Sequence, residues 1–191
     1  MTTPPHAPGH VERPPLHALF LDRDGTLIEH VPYLRDPADV ALLPGVREAL
    51  AAALAAGVKL FLFTNQSGVG RGMFTLAEVE ACNERVVELL GLGPEPFTAI
   101  CIAPETPDEP PRYRKPSPRF IHEMLHLHGI AARAAWMLGD SPVDWEAAIN
   151  AGIRAAAIVP DPLAPKEPER RAELGVPAFP SVLDWLRAVW G

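Results

Sequence analysis

From residue 17 onward, short apolar runs alternate with longer segments of helical period. The runs Ala18 to Leu21, Val58 to Phe63, Phe97 to Ile102, Ala135 to Leu138 and Ala155 to Val159 are brief and mainly apolar. Strands buried on both faces read this way, because neither face calls for a polar side chain. Helices fill the gaps. Gly45 to Ala56 is rich in alanine, Thr75 to Leu90 opens with Thr75 and Glu78 at capping-box spacing, and Ser117-Pro118 places a cap before a proline at the first helical position. A last helix is expected over Ser181 to Val189. Strand and helix in alternation predict a central parallel sheet flanked by helices, an α/β fold.

Two stretches break the rhythm and are therefore candidates for function: Glu29 to Pro44 after the first strand, and Ala103 to Pro116 after the third. Neither is large enough for a cap domain. The second is crowded with prolines and acids, which makes it irregular and stiff. Pro160 to Arg171 is polar and carries prolines, so it reads as a surface connection with a short helix. Residues 1–15 are rich in proline and histidine and have no apolar core. A disordered tail is expected there, neither a leader peptide nor a membrane span, with His6, His10 and His17 solvated. Residues 16–191 are expected to fold as one domain.

Composition narrows the function classes. With 191 residues and 48% hydrophobic content, the chain is long enough for one well-buried domain and short for two. A net charge of −7 argues against a nucleic-acid surface. Arg112, Arg114 and Lys115 are the nearest approach to a basic cluster and suit a small anion at most. Cys82 and Cys101 stand in unrelated contexts, with neither a disulfide framework nor a zinc site around them. A reducing cytoplasm, no membrane contact and a monomer are the expectations.

The chemistry begins at Phe20-Leu21-Asp22-Arg23-Asp24-Gly25-Thr26, where an apolar strand ends in two carboxylates spaced i, i+2. Residues at that spacing point the same way from an extended segment, and Gly25 permits a sharp turn after them. In an open parallel sheet, ligands bind beyond the carboxyl ends of the strands. The second strand ends in Thr64-Asn65-Gln66-Ser67-Gly68, the fourth in Gly139-Asp140-Ser141 with Asp144 a turn later, and Lys115 follows the third. Carboxylates, a hydroxyl and a lysine at one edge supply a cation site, an anion site and a nucleophile together. Taken singly, Asp140 could cap the next helix and Thr64 and Asn65 could form a turn. No P-loop motif occurs; Gly68 to Gly72 is glycine-rich but lacks the lysine.

The segments DRDGT at Asp22 to Thr26, TNQSG at Thr64 to Gly68, GRGMF at Gly70 to Phe74, RKP at Arg114 to Pro116 and GDSPVD at Gly139 to Asp144 resemble the haloacid dehalogenase superfamily. Within it they are most similar to the small, capless phosphatases of the heptose 1,7-bisphosphate and histidinol-phosphate group. The resemblance implies a Rossmann-like three-layer sandwich. It implies Asp22 as a nucleophile forming an aspartyl-phosphate and Asp24 as general acid and then base. Mg2+ would be held by Asp22, the backbone carbonyl of Asp24 and Asp140, with Asp144 in support. Thr64 and Lys115 would act on the transferring phosphoryl group, with Asn65, Gln66 and Ser67 among the groups binding substrate.

One departure stands out. Many members of this group carry a structural zinc on cysteines and a histidine in the loop after the third strand. Here Cys101 matches one ligand, while Ala103, Pro111 and Tyr113 occupy the other positions. One thiolate does not hold a tetrahedral zinc, so none is expected. Arg71 and Arg114 suit a second phosphate or a carboxylate on the substrate. Val31 and Tyr33 are read as pocket wall or as packing, and His122, His126 and His128 as helix-surface residues. The expected activity is hydrolysis of a small phosphorylated metabolite, foremost heptose 1,7-bisphosphate at its 7-phosphate, with histidinol phosphate second. A receiver-like phosphate-binding module is the alternative from another class. Asp24 separates the two, since a general base beside the nucleophile promotes loss of the phosphoryl group to water.

Overall fold

The computed structural model describes residues 15–161 and 166–190. His6, His10 and nearly all of the expected tail lie outside the described residues, as do residues 162–165 of the Pro160 to Arg171 segment. Six strands form one sheet: β1 Ala18–Leu21, β2 Lys59–Asn65, β3 Ala99–Ala103, β4 Ala135–Gly139, β5 Arg154–Ile158 and β6 Ala178–Phe179. Their order is β3-β2-β1-β4-β5-β6 and every pairing is parallel. The chain thus leaves β1 in one direction for β2 and β3, then returns to the other side for β4. That reversal opens a crevice beyond the carboxyl end of β1, between β2 and β4.

Alternation along β1 divides the core. Leu19 and Leu21 face one layer with residues of helices α1 (Val46–Ala55), α3 (Leu76–Leu90) and α7 (Val182–Trp190). Ala18 and Phe20 face the other, with α4 (Arg119–Leu127) and α5 (Pro142–Ala151). The result is the α/β three-layer sandwich expected. On the second face Phe20 stacks on Phe61 with ring centroids 4.7 Å apart, and Phe120 meets Phe20 edge-on at 5.9 Å. On the first, Trp136 and Trp185 meet edge-on at 5.5 Å. No helix among the described residues is long and apolar enough to cross a membrane.

Several local expectations need correction. A sixth strand, β6, escapes the sequence pattern because it is only two residues long. β2 runs two residues further than Phe63, so Thr64 and Asn65 belong to the strand itself. The glycine-rich stretch after it forms a short helix, α2 (Ser67–Gly70), and the last short helix is α6 (Pro168–Glu173). Helix α4 starts at Arg119 with Pro118 before it, and the cap expected at Ser117 forms as a long bond, the Ser117 hydroxyl accepting from the Arg119 N–H at 3.4 Å. Ser117 also closes the turn that carries Lys115, its hydroxyl donating to the Arg112 carbonyl at 3.0 Å and its N–H to the Arg114 carbonyl at 2.9 Å. The Thr75–Glu78 capping box forms as read. His17 is part of the sheet margin, its N–H donating to the Ala134 carbonyl at 2.8 Å. His122 and His126 lie exposed, while the His128 ring packs 5.6 Å from that of Phe61.

Candidate active site

Asp22 follows directly on β1 and its N–H donates to the Leu138 carbonyl at 2.9 Å, which ties it to β4. Gly25 then turns the chain with φ of 83°. A Cβ there would lie 2.1 Å from Asp140 Oδ2. Glycine therefore serves twice, permitting the left-handed turn and letting Asp140 approach the strand end.

Asp22, Asp140 and Asp144 place carboxylate oxygens within 4.8 Å of one another. Lys115 enters this cluster from the loop after β3 and is almost wholly buried. Its Nζ lies 2.6 Å from Asp22 Oδ1 and 2.5 Å from Asp144 Oδ1, and donates to the Phe63 carbonyl at 2.8 Å. Lys166, just ahead of α6, pairs with Asp140 Oδ2. Three carboxylates thus face two ammonium groups. Burial pushes the Asp22 carboxyl well above its ordinary range; Lys115 pulls it back, while Asp144, Asp140 and Asp24 push it further up. Asp140 is raised for the same leading reason, with Asp144 adding to it and Lys166 opposing. Burial alone would discharge Lys115, but Asp144 and Asp22 outweigh it and hold the ammonium above its usual value. Asp144 also accepts from the Ser141 hydroxyl at 2.6 Å and caps the first turn of α5. The capping role considered for Asp140 thus falls to Ser141 and Asp144.

Asp24 has different company. Arg23 Nε and Nη2 reach its two carboxyl oxygens at 3.1 and 3.2 Å, and Gln66 Nε2 donates to Oδ2 at 3.0 Å. Gln66 Nε2 also donates to Thr64 Oγ1 at 2.9 Å, and Arg23 Nη1 donates to Asn83 Oδ1 at 3.0 Å. Gln66, Arg23 and Thr64 are buried.

A cavity of about 230 Å³ opens over these groups. Asp22, Asp24, Lys115, Asp140 and Asp144 line it, and so do Asn65, Gln66 and Ser67. Val31 and Tyr33 join the wall, Tyr33 with φ of 55°. Thr64, Arg71 and Arg114 lie outside this wall. Asn65 has a further role: its side chain donates to the Lys115 carbonyl at 3.1 Å and accepts from the Lys115 N–H at 2.9 Å. Its amide is thereby committed to holding the Lys115 loop, fifty residues away in sequence. Burial first and nearby Arg71 second keep the Arg114 guanidinium below its usual value.

Residues 36–152 match the haloacid dehalogenase-like hydrolase family, a span that takes in Thr64, Lys115, Asp140 and Asp144. The chain belongs to that family. A D-glycero-beta-D-manno-heptose-1,7-bisphosphate 7-phosphatase of Mesorhizobium japonicum is 36% identical over 79% of this chain and 73% of its own length. Another of the same description, from Pseudomonas putida, is 32% identical over 90% of this chain and 95% of its own. In fold, the chain is similar to the D,D-heptose 1,7-bisphosphate phosphatase from B. bronchiseptica, solved with magnesium and phosphate. That likeness has a TM-score of 0.79 at 24% identity, over 91% of this chain and 97% of that one. This haloacid dehalogenase-like hydrolase is an enzyme, a phosphatase.

Sequence reasoning missed three contributors to its site. Arg23 was passed over as the spacer between two acids, although a charged residue inside an apolar strand end is itself a sign of a buried pair. Asn83 is a lone amide on the apolar side of α3, and Lys166 is a lone lysine in the polar segment before α6. Neither carried a motif.

Proposed function

We propose that this phosphatase is a magnesium-dependent phosphomonoesterase that works through an aspartyl-phosphate, with heptose 1,7-bisphosphate as substrate and the 7-phosphate as the group removed. The observation that carries the reading is Asp22, buried against Lys115 at 2.6 Å, with Asp24 two residues on and facing the same cavity. The oxygen-rich donor set fits Mg2+, a hard cation, and crowded carboxylates that burial makes reluctant to ionise gain from a divalent partner. Asp22, Asp140 and the Asp24 backbone carbonyl would hold the ion, with Asp144 behind them. When bound, it supplies positive charge against the phosphoryl oxygens.

The chain's own groups account for the rest. Lys115 favours the ionised form of Asp22, which attacks phosphorus as a carboxylate. Asp24 gives its proton to the departing sugar oxygen as the P–O bond breaks, then takes one from the water that opens the acyl phosphate. Ser67 and Lys115 bind the transferring phosphoryl group from the cavity wall, and Thr64, buried behind it and holding the Gln66 amide, acts on that group at the end of β2 once the phosphoryl group is seated. Asn65 acts by fixing the Lys115 backbone. Arg71 and Arg114, beyond the cavity wall, meet the distal phosphate. The enzyme is read as a monomer with one catalytic domain, and a cytoplasmic setting accords with the two cysteines being free and buried. Burial, with Glu105 adding to it, lifts the Cys101 thiol to about 12; with Ala103, Pro111 and Tyr113 at the other ligand positions, this single cysteine does not make a tetrahedral zinc site.

Phosphate release tests the reading, with Mg2+ present and heptose 1,7-bisphosphate set against histidinol phosphate on the intact chain and on Asp22→Asn. Strong preference for the bisphosphate, lost in Asp22→Asn, is expected. Preference for histidinol phosphate would overturn the substrate assignment, and turnover surviving in Asp22→Asn would overturn the mechanism.

A further inference from the structure

The network around Asp24 says more than that this residue is near the cavity. A carboxylate oxygen offers two lone-pair directions. On Asp24 Oδ2 both are taken, one by Arg23 Nε at 3.1 Å and one by Gln66 Nε2 at 3.0 Å. Arg23 Nη2 spans the two oxygens, 3.0 Å from Oδ2 and 3.2 Å from Oδ1, and Oδ1, which no other donor among the described residues reaches, keeps one direction open. Neither donor is free to drift. The Gln66 amide is fixed by its second bond, to Thr64 Oγ1 at 2.9 Å. The Arg23 guanidinium is sealed in the core and held from α3 by Asn83 at 3.0 Å.

We propose that Arg23 and Gln66 are positioning residues for the Asp24 carboxyl group, clamping Oδ2 so that the transferable proton is carried on Oδ1, with Asn83 anchoring the clamp. The inference rests on the reading of Asp24 as the general acid. In the forward step the Oδ1–H proton passes to the ester oxygen as its bond to phosphorus breaks, leaving Asp24 a carboxylate whose charge faces the fixed guanidinium. The geometry then returns the same oxygen to accept a proton from attacking water. A neutral Asp24 whose proton sat on Oδ2 would collide with one of two donors, so the clamp selects one of the two acid forms. A fixed fork costs no reorganisation at the moment of transfer, which is the advantage of preorganised groups.

Leaving-group dependence tests the proposal. An alkyl phosphate such as glycerol 2-phosphate needs a proton on its departing oxygen, whereas p-nitrophenyl phosphate does not. The quantity compared is kcat/KM, which reports the steps up to departure of that group. On the full chain with Mg2+, Asp24→Asn should lose on the order of 10²-fold more on the alkyl ester than on the aryl ester. Gln66→Met and Arg23→Lys should show the same selectivity, about tenfold, because they misplace the acid without removing it. Should Arg23→Lys fail to fold, Gln66→Met carries the test. Equal losses on both esters in Gln66→Met, with selectivity intact in Asp24→Asn, would overturn the clamp and leave the acid assignment standing. Equal losses in Asp24→Asn itself would overturn that assignment, and the clamp with it.

Discussion

Asp22 and Asp24 stand two residues apart at one strand end, yet their surroundings are opposite in kind. Asp22 sits in a cluster with more acids than bases: with Asp140 and Asp144 it makes three carboxylates against two ammonium groups, Lys115 buried between them and Lys166 at the margin. Around Asp24 there are only donors, a fork from Arg23 and an amide from Gln66. The first half is short of positive charge and so suits a cation that arrives and an anion that is attacked. The second half is rich in fixed donors, with one direction on Oδ1 left open, and suits a group that must hold one orientation through two proton transfers. Paired acids divide their labour through environment, not through their own chemistry.

The sharpest way to break this contrast is at its centre. Asp22→Asn should lower phosphate release on the order of 10³-fold or more, since the nucleophile is gone. Its melting temperature should hold or rise, because a buried carboxyl is replaced by a neutral isostere while Lys115 keeps Asp144. Lys115→Met comes next. Two buried carboxylates lose their cation, a change that costs about 3–5 kcal/mol when one partner of a buried pair is removed. Lys166→Met should cost no more than about 1 kcal/mol, its side chain being 45% exposed. Urea unfolding of both variants checks the ranking, and equal losses would mean that burial does not distinguish the two lysines.

Mg2+ should sharpen the contrast from the other side. At a hundred times its Kd the ion should stabilise the folded chain by about 2.7 kcal/mol, read as a rise in Tm without any substrate. Asp140→Asn should abolish most of that rise. The smallest effect belongs to α3, which carries Asn83 and so supports the Asp24 half alone. Thr75→Ala removes the cap of that helix and should cost about 1 kcal/mol. The Thr75 backbone N–H and hydroxyl hold the Glu78 carboxyl below its ordinary value of 4.5. That contribution is therefore present above the ordinary value and lost as the pH falls through the lowered one. The gap in Tm between Thr75→Ala and the unaltered chain should narrow on acidification.

Much of the architecture was legible beforehand, and for a local reason. Strands such as Ala18–Leu21 and Ala135–Gly139 are buried on both faces, so their apolar runs stand out against helical segments. The strand ends carrying Asp22, Asp24, Asp140 and Asp144 were legible too, because ligands gather at the carboxyl edge of any such sheet. Ser117 does more than its spacing shows: the hydroxyl that accepts from the Arg119 N–H at the start of α4 also donates to the Arg112 carbonyl, and only the path of the Lys115 loop supplies that second partner. Asn65, read as a group for substrate, lines the cavity and also grips the backbone of Lys115, a second use that only the fold reveals.

What the sequence determined by itself is periodic and short in range: which runs are strands, which acids share a face, where Thr75 starts a helix. Period and capping depend on neighbours within a turn or two, and those are written side by side. What only the tertiary structure decided is which charge meets which. Arg23 reaches Asn83 across sixty positions and Lys115 reaches Asp22 across ninety-three. Such pairings follow from the order of strands and the closing of loops, because an ion pair is selected by the burial it must survive and not by its distance along the chain.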